Sequence, residues 1–325
     1  MLLSVVACKS KNNKVQTDSD DEIVCKSIFQ VIENCSIDEL EIWLKRDSSF
    51  ANYRDTTVYK ETALMYAAKK NDLARFNLLL EYGADPFAYV DYHIHPQYDV
   101  LYVALEHDAD DILREIIKRN FFDLNKKYND CENAIYTSVR NNSPKTLSML
   151  IDNGANIHVI DECEGDIGNS PLSWAVMERS LVAAKILIKN GADVNRTEED
   201  MHTVLGVACF TYENEGSFDI IKLLVENGAD VNKAHSLNFT PLMMCAFRAN
   251  NEPIEFLFKN GAKINAKTSS GYTALHYATS NDHIETAKLL VKLGADCNIR
   301  DNQGNLAIDL FSNKKFKDEF TNFLK

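Results

Sequence analysis

Three groups of side chains have types and spacings that could do chemistry. His93 and His95 flank Ile94, so on an extended strand both imidazoles would point to one side, which is the start of a metal site. Two ligands do not hold a metal and no obvious third partner stands nearby, so the expectation is a pair of surface histidines on an aromatic loop. Asp161, Glu162, Glu164 and Asp166 crowd around Gly165. Their spacing is not the alternating ligand pattern ending in Glu that a calcium loop uses, which makes a solvated acidic loop the simpler reading. The cysteines, at 8, 25, 35, 131, 163, 209, 245 and 297, form no CxxC pair and no Cys/His ligand spacing. Cys209 and Cys245 fall inside apolar helical runs, where a thiol packs as a small hydrophobe. The chain has no serine or cysteine nucleophile pattern, no phosphate-binding glycine loop and no HExxH. No catalytic residue, no metal, no cofactor and no enzyme activity are expected.

Charge narrows the partner. A net charge of -13 over 325 residues argues against nucleic acid, whose binding draws on Lys and Arg to release condensed counterions. A neutral or basic protein partner fits better, and a monomer is expected. A hydrophobic fraction of 45% and a charged fraction of 26% suit a folded body, and no run of eighteen or more apolar residues occurs to cross a bilayer as a helix.

The first residues form a group of their own. Met1 to Ala7 is short and apolar, and Val5-Val6-Ala7-Cys8 resembles a bacterial lipobox. The segment lacks a basic n-region and is shorter than the usual apolar h-region, as a start placed too far downstream would leave it. Two expectations follow: a lipoprotein anchored in the bacterial cell envelope through Cys8, or the frayed terminus of a cytoplasmic protein. As a tether, Lys9 to Asp21 would reach roughly 20 Å root-mean-square.

The elements that would position any site come from an internal repeat. Gly-Ala-Asp type triplets begin at Gly83, Gly154, Gly191, Gly228, Gly261 and Gly294. The long first gap holds a degenerate marker, FFDLN at Phe121 to Asn125, and the period is about 33 residues. A second marker precedes each triplet by about twenty residues: Thr62 (TALMYAA), Asp99 (DVLYVAL), Asn133 (NAIYTSV), Ser170 (SPLSWAV), Thr203 (TVLGVAC), Thr240 (TPLMMCA), Thr273 (TALHYAT) and Leu306 (LAIDLFS). The residue opening this marker is nearly always an N-cap type, and Pro171 and Pro241 stand at the next position, where a missing N–H costs nothing. The triplet glycine ends a second helix in a left-handed turn; Phe121 and Ser48 depart from that rule.

TPLHxA followed by GADVN at this spacing resembles the ankyrin repeat. The resemblance runs from about residue 22 to residue 325 and implies an all-α solenoid of stacked helix-turn-helix repeats with β-turn or hairpin tips. It gives His276, in the intact TALH motif, a hydrogen-bonding role between repeats. The expected organisation is a flexible segment at 1–21, a capping helix pair at 22–54, about seven repeats at 55–300 and a capping repeat at 301–325. Insertions at 87–99 and 158–170 fall in turns joining repeats, and 212–217 falls between the two helices of one repeat.

The resemblance further implies a protein-interaction scaffold that contacts its partner through repeat tips and a concave face. Tip residues expected to take part are Tyr59, Tyr89, Tyr92, His93, His95, Tyr98, Tyr128, Phe239 and Tyr272, since tyrosine is a frequent interface anchor. The alternatives are an envelope-anchored lipoprotein acting as an inhibitor or immunity-type binder, and a metal-dependent activity at the 87–99 insertion.

Overall fold

The computed structural model describes residues 27–56, 60–90, 98–127, 133–160, 168–197, 203–211, 215–235 and 237–325, together with the backbone of 6–8 and 23–25. The chain divides into two units, Met1–Asn156 and Ile157–Lys325. The first holds a short antiparallel ribbon, β1 (Val6–Cys8) and β2 (Ile23–Cys25), with Cys8 opposite Ile23. Four helix pairs follow it: α1 (Ile28–Asn34) with α2 (Ile37–Arg46), α3 (Ala63–Lys69) with α4 (Leu73–Glu81), α5 (Val100–Glu106) with α6 (Asp110–Lys118), and α7 (Ala134–Arg140) with α8 (Pro144–Asp152).

The second unit repeats the arrangement: α9 (Pro171–Met177) with α10 (Leu181–Lys189), α11 (Val204–Thr211) with α12 (Glu215–Glu226), α13 (Pro241–Phe247) with α14 (Asn251–Lys259), and α15 (Ala274–Ser280) with α16 (Ile284–Lys292). A 3-10 turn at Ala307–Leu310 and the helix α17 (Lys314–Phe323) complete it. Helix α12 starts at Glu215, inside the segment read as an inter-helix insertion, so part of that insertion lengthens the helix.

Local chemistry sets these boundaries. Asp99 Oδ1 accepts the Tyr102 amide at 3.0 Å and Thr203 Oγ1 accepts the Gly206 amide at 3.0 Å, each satisfying a backbone donor that the first helical turn leaves orphaned. One apolar stripe per helix then turns inward. Leu101, Leu105, Ile112 and Ile116 in the first unit, and Ile221, Leu224, Leu257 and Leu290 in the second, are all buried. Fully burying one such side chain contributes about 1.5–3 kcal/mol.

The second helices end where the glycines permit it. Gly228, with φ of 89°, occupies the left-handed region that costs a residue bearing a Cβ about 1–2 kcal/mol. One repeat reaches the same turn by another route and corrects the sequence alignment. Asn120, not Phe121, holds the left-handed position, with φ of 52°. The Phe121 amide donates to Ile116 O, as the Ala84 amide donates to Leu79 O. That repeat therefore carries one extra residue, Phe122, ahead of its Asp123. Asparagine is among the few side chains that tolerate this conformation.

Candidate functional site

Successive repeats are tied by an asparagine ladder at the tips. Asn52 donates to Gly83 O at 2.8 Å and accepts the Asp85 amide at 2.8 Å. Asn195 does the same with Gly228 O and the Asp230 amide, at 2.8 and 2.7 Å, and Asn232 with Gly261 O and the Lys263 amide, at 3.0 and 2.8 Å. At one rung the asparagine is replaced by Phe87, which is 55% exposed and packs on Phe121 and Phe122 at ring separations of 6.1 and 5.4 Å. Beside it lies a polar-lined cavity of about 320 Å³, bounded by Phe122, Asp123, Asn125 and Asn153 among others. Among the described residues Asp123 is the sole titratable one that lines it.

His276 joins the helices to the tips as the motif implies. Its Nδ1 lies 2.9 Å from Thr273 Oγ1 and its Nε2 lies 3.4 Å from Asn305 O in the following repeat. Burial holds its pKa below the ordinary histidine value, against the Asn305 carbonyl and Asp301, which pull it up. Asp99 makes a comparable link, pairing with Lys126 at 3.2 Å. Burial raises its carboxyl pKa, while the Tyr102 amide and Lys126 oppose the shift.

The first helices carry the main contrast between the two units. The residues four and seven places after each N-cap share one helix face. In α3, α5 and α7 of the first unit these are Tyr66 and Lys69, Val103 and Glu106, and Thr137 and Arg140. Their charges are paired, Lys69 with Glu61 at 2.6 Å and Arg140 with Glu106 at 3.2 Å. In the second unit the same places hold Trp174 and Met177, Val207 and Phe210, Met244 and Phe247, and Tyr277 and Ser280. Phe210 is 44% exposed and Phe247 36% exposed.

The rings in the second unit touch in series. The Arg248 guanidinium sits 4.9 Å over Phe210. Phe247 is 6.4 Å from Tyr277, which meets Phe239 at 4.6 Å and Tyr272 at 5.3 Å. His235 stacks on Phe239 at 5.3 Å. Among the tip residues expected from the sequence, Phe239 and Tyr272 are thus brought together through Tyr277. Tyr89 is exposed, whereas Tyr98 is half-buried and packs 5.2 Å from Tyr102 of its own repeat. Tyr59, Tyr92, His93, His95 and Tyr128, with the acidic loop around Gly165, lie outside the described residues. Phe210, Phe247 and Tyr277 escaped the sequence reading; their phase after the N-cap was the signal that could have found them.

The ankyrin repeat family model of three copies matches residues 100–198 and 205–301, and the single-repeat model matches 59–91. The chain belongs to the ankyrin repeat family. It is 33% identical over 124 residues to an ankyrin repeat protein of fowlpox virus (strain NVSL); the match takes in 38% of this chain and 17% of that protein's length. Its fold resembles the ankyrin repeat domain of Bcl-3, a member of the IkappaB protein family, with a TM-score of 0.57 and 19% sequence identity, over 79% of this chain and 97% of that one. Ankyrin repeats generally serve as non-enzymatic interaction modules. Among the described residues no group of His, Cys, Asp and Glu is placed to hold a metal ion, and no helix is long and apolar enough to cross a membrane.

Among the described residues three cysteines are free: Cys209 and Cys245, both buried, and the half-buried Cys297. Cys35 is disulfide-bonded, a pairing that the cysteine spacing did not reveal.

Proposed function

We propose that this chain is a non-enzymatic scaffold that binds a protein partner, and that the aromatic first-helix face of its second unit is the main contact. The observation that carries this reading is the exposure of Phe210 and Phe247 at the helix position where the first unit places paired charges. Large rings held in fixed rotamers bind at low entropic cost, and contiguous exposed apolar surface on a folded chain marks an interaction site. Phe239 and Tyr272 extend the contact beside the helix face, and in the first unit the tip residues Tyr89 and Tyr98 are proposed as contacts of their own.

The test is photo-crosslinking in the native cells with benzoylphenylalanine at position 247, followed by mass spectrometry, and a comparison of partner capture by wild type and Phe210→Ala/Phe247→Ala. The expected result is a single dominant cross-linked protein whose capture the double variant loses while melting unchanged. Equal capture by both forms would remove the aromatic face from the reading.

The disulfide at Cys35 favours a second reading, in which the chain works outside a reducing cytosol. Anchored through Cys8, it would be an envelope lipoprotein of the inhibitor or immunity type. Labelled palmitate taken up by wild type and not by Cys8→Ala supports the anchor. Disulfide mapping that pairs Cys8 with Cys35 rules it out.

A further inference from the structure

The aromatic face of the second unit is bordered by cations, although the chain as a whole carries -13. Lys233, Lys267 and Arg300 stand on three successive tips. Lys233 Nζ donates to Asn195 O, Lys267 Nζ to Arg300 O at 3.3 Å, and Arg300 Nη1 to Gly304 O at 2.6 Å. The hydrogen bond of each goes to a carbonyl, and among the described residues none of the three forms a close ion pair, Arg300 acting on Asp309 only from farther off. The carboxylates nearest them in sequence take their hydrogen bonds from within the chain and keep their charge. Asp230 accepts the Asn232 amide and Asp296 the Asn298 amide, both at 2.8 Å, Asp301 accepts the Asn305 and Gln303 amides at 2.8 and 2.9 Å, and Asp309 pairs with Lys317 at 3.1 Å. The three cations adjoin the rings: the Thr268 amide next to Lys267 donates to Tyr272 O at 2.8 Å, and the His235 amide two residues after Lys233 donates to Phe239 O at 3.2 Å.

We propose that the tips carrying Lys233, Lys267 and Arg300, with the helix face carrying Phe210 and Phe247, bind an acidic segment of the partner protein. Its apolar side chains lie on the rings and its carboxylates meet the three cations. This rests on the docking reading above and adds the chemistry of the guest. The net charge of the chain does not oppose it at contact, because charges farther apart than about 8 Å are screened at physiological salt and local complementarity decides which segment seats. A partner that is neutral or basic overall can present such a segment.

The test is selection of a displayed library of random peptides on the immobilised full chain, followed by fluorescence anisotropy with the enriched peptides made synthetically. The protein forms are wild type, Lys233→Glu/Lys267→Glu/Arg300→Glu, the conservative Lys233→Arg/Lys267→Arg, and Phe210→Ala/Phe247→Ala, each checked for an unchanged melting temperature. The expected peptides are rich in Asp and Glu among apolar residues. They lose affinity about tenfold or more with the charge-reversed form, keep it with the arginine form, and weaken as salt rises from about 50 to about 300 mM. Enriched peptides that are basic, or that ignore the charge reversal, overturn the acidic guest. If such peptides still depend on Phe210 and Phe247, the docking reading survives that loss; if they are indifferent to both rings, it falls as well.

Discussion

Asn232 reaches across to the repeat that follows it and holds Lys263: its Oδ1 accepts the Lys263 amide at 2.8 Å while its Nδ2 donates to Gly261 O at 3.0 Å. One side chain thus satisfies two backbone groups of its neighbour. Asn232→Ala removes both bonds, and the expected loss is about 1–3 kcal/mol, read from urea unfolding. A loss below about 0.5 kcal/mol would mean that water replaces the carboxamide at no cost.

The glycine turns can be tested by which substitute they accept. Gly228 has open space around an added Cβ and a φ of 89°, so the penalty for a side chain there is conformational and not steric. Gly228→Val should cost about 1–2 kcal/mol or more. Gly228→Asn should cost clearly less, because Asn120 holds the equivalent turn. Equal melting temperatures for the two variants would refute the argument.

Acid should weaken the last repeats through His276. Its folded pKa lies below the unfolded value, so the unfolded chain takes up the proton first. The neutral ring's contribution is complete above the unfolded pKa of about 6.5 and is lost as pH falls through it towards the folded value. The melting temperature of wild type should drop between about pH 7.5 and pH 5.5, and that of His276→Gln should drop less. Parallel curves would assign the acid loss to other groups.

Core and tip positions should separate. Leu224 and Leu290 are fully buried, and either one changed to Ala should cost about 2–5 kcal/mol. Tyr89 is 54% exposed, and its change to Ala should stay within about 0.5 kcal/mol of wild type. Calorimetry of the three variants makes the comparison.

Much of the frame was legible because it rests on residues with few substitutes. Thr62, Asp99, Ser170 and Thr240 cap their helices as their types require, and the triplet glycines sit at positive φ. The sequence misled where a second residue type can do the same work. Asn120 adopts the left-handed turn that glycine marks elsewhere, so the marker was read one residue late. The binding face was less legible for a different reason. Aromatic residues at tips stand out by composition, whereas Phe210 and Phe247 sit at the ends of apolar helices, where they read as core. Only their phase relative to Thr203 and Thr240 turns them outward. Cys35 shows a third limit, since a disulfide depends on which cysteines the chain brings together and the spacing alone leaves every pairing open.

The rung at which Phe87 stands in place of asparagine joins its two repeats by ring contact where the first unit's rungs at Asn52 and Asn125 use a carboxamide. Water's aversion to apolar surface fades on cooling, whereas hydrogen bonds hold. Chilled solution therefore singles out this one joint of the first unit as its weakest seam, and hydrogen exchange near ice temperature should open there before it opens at the rung tied by Asn52.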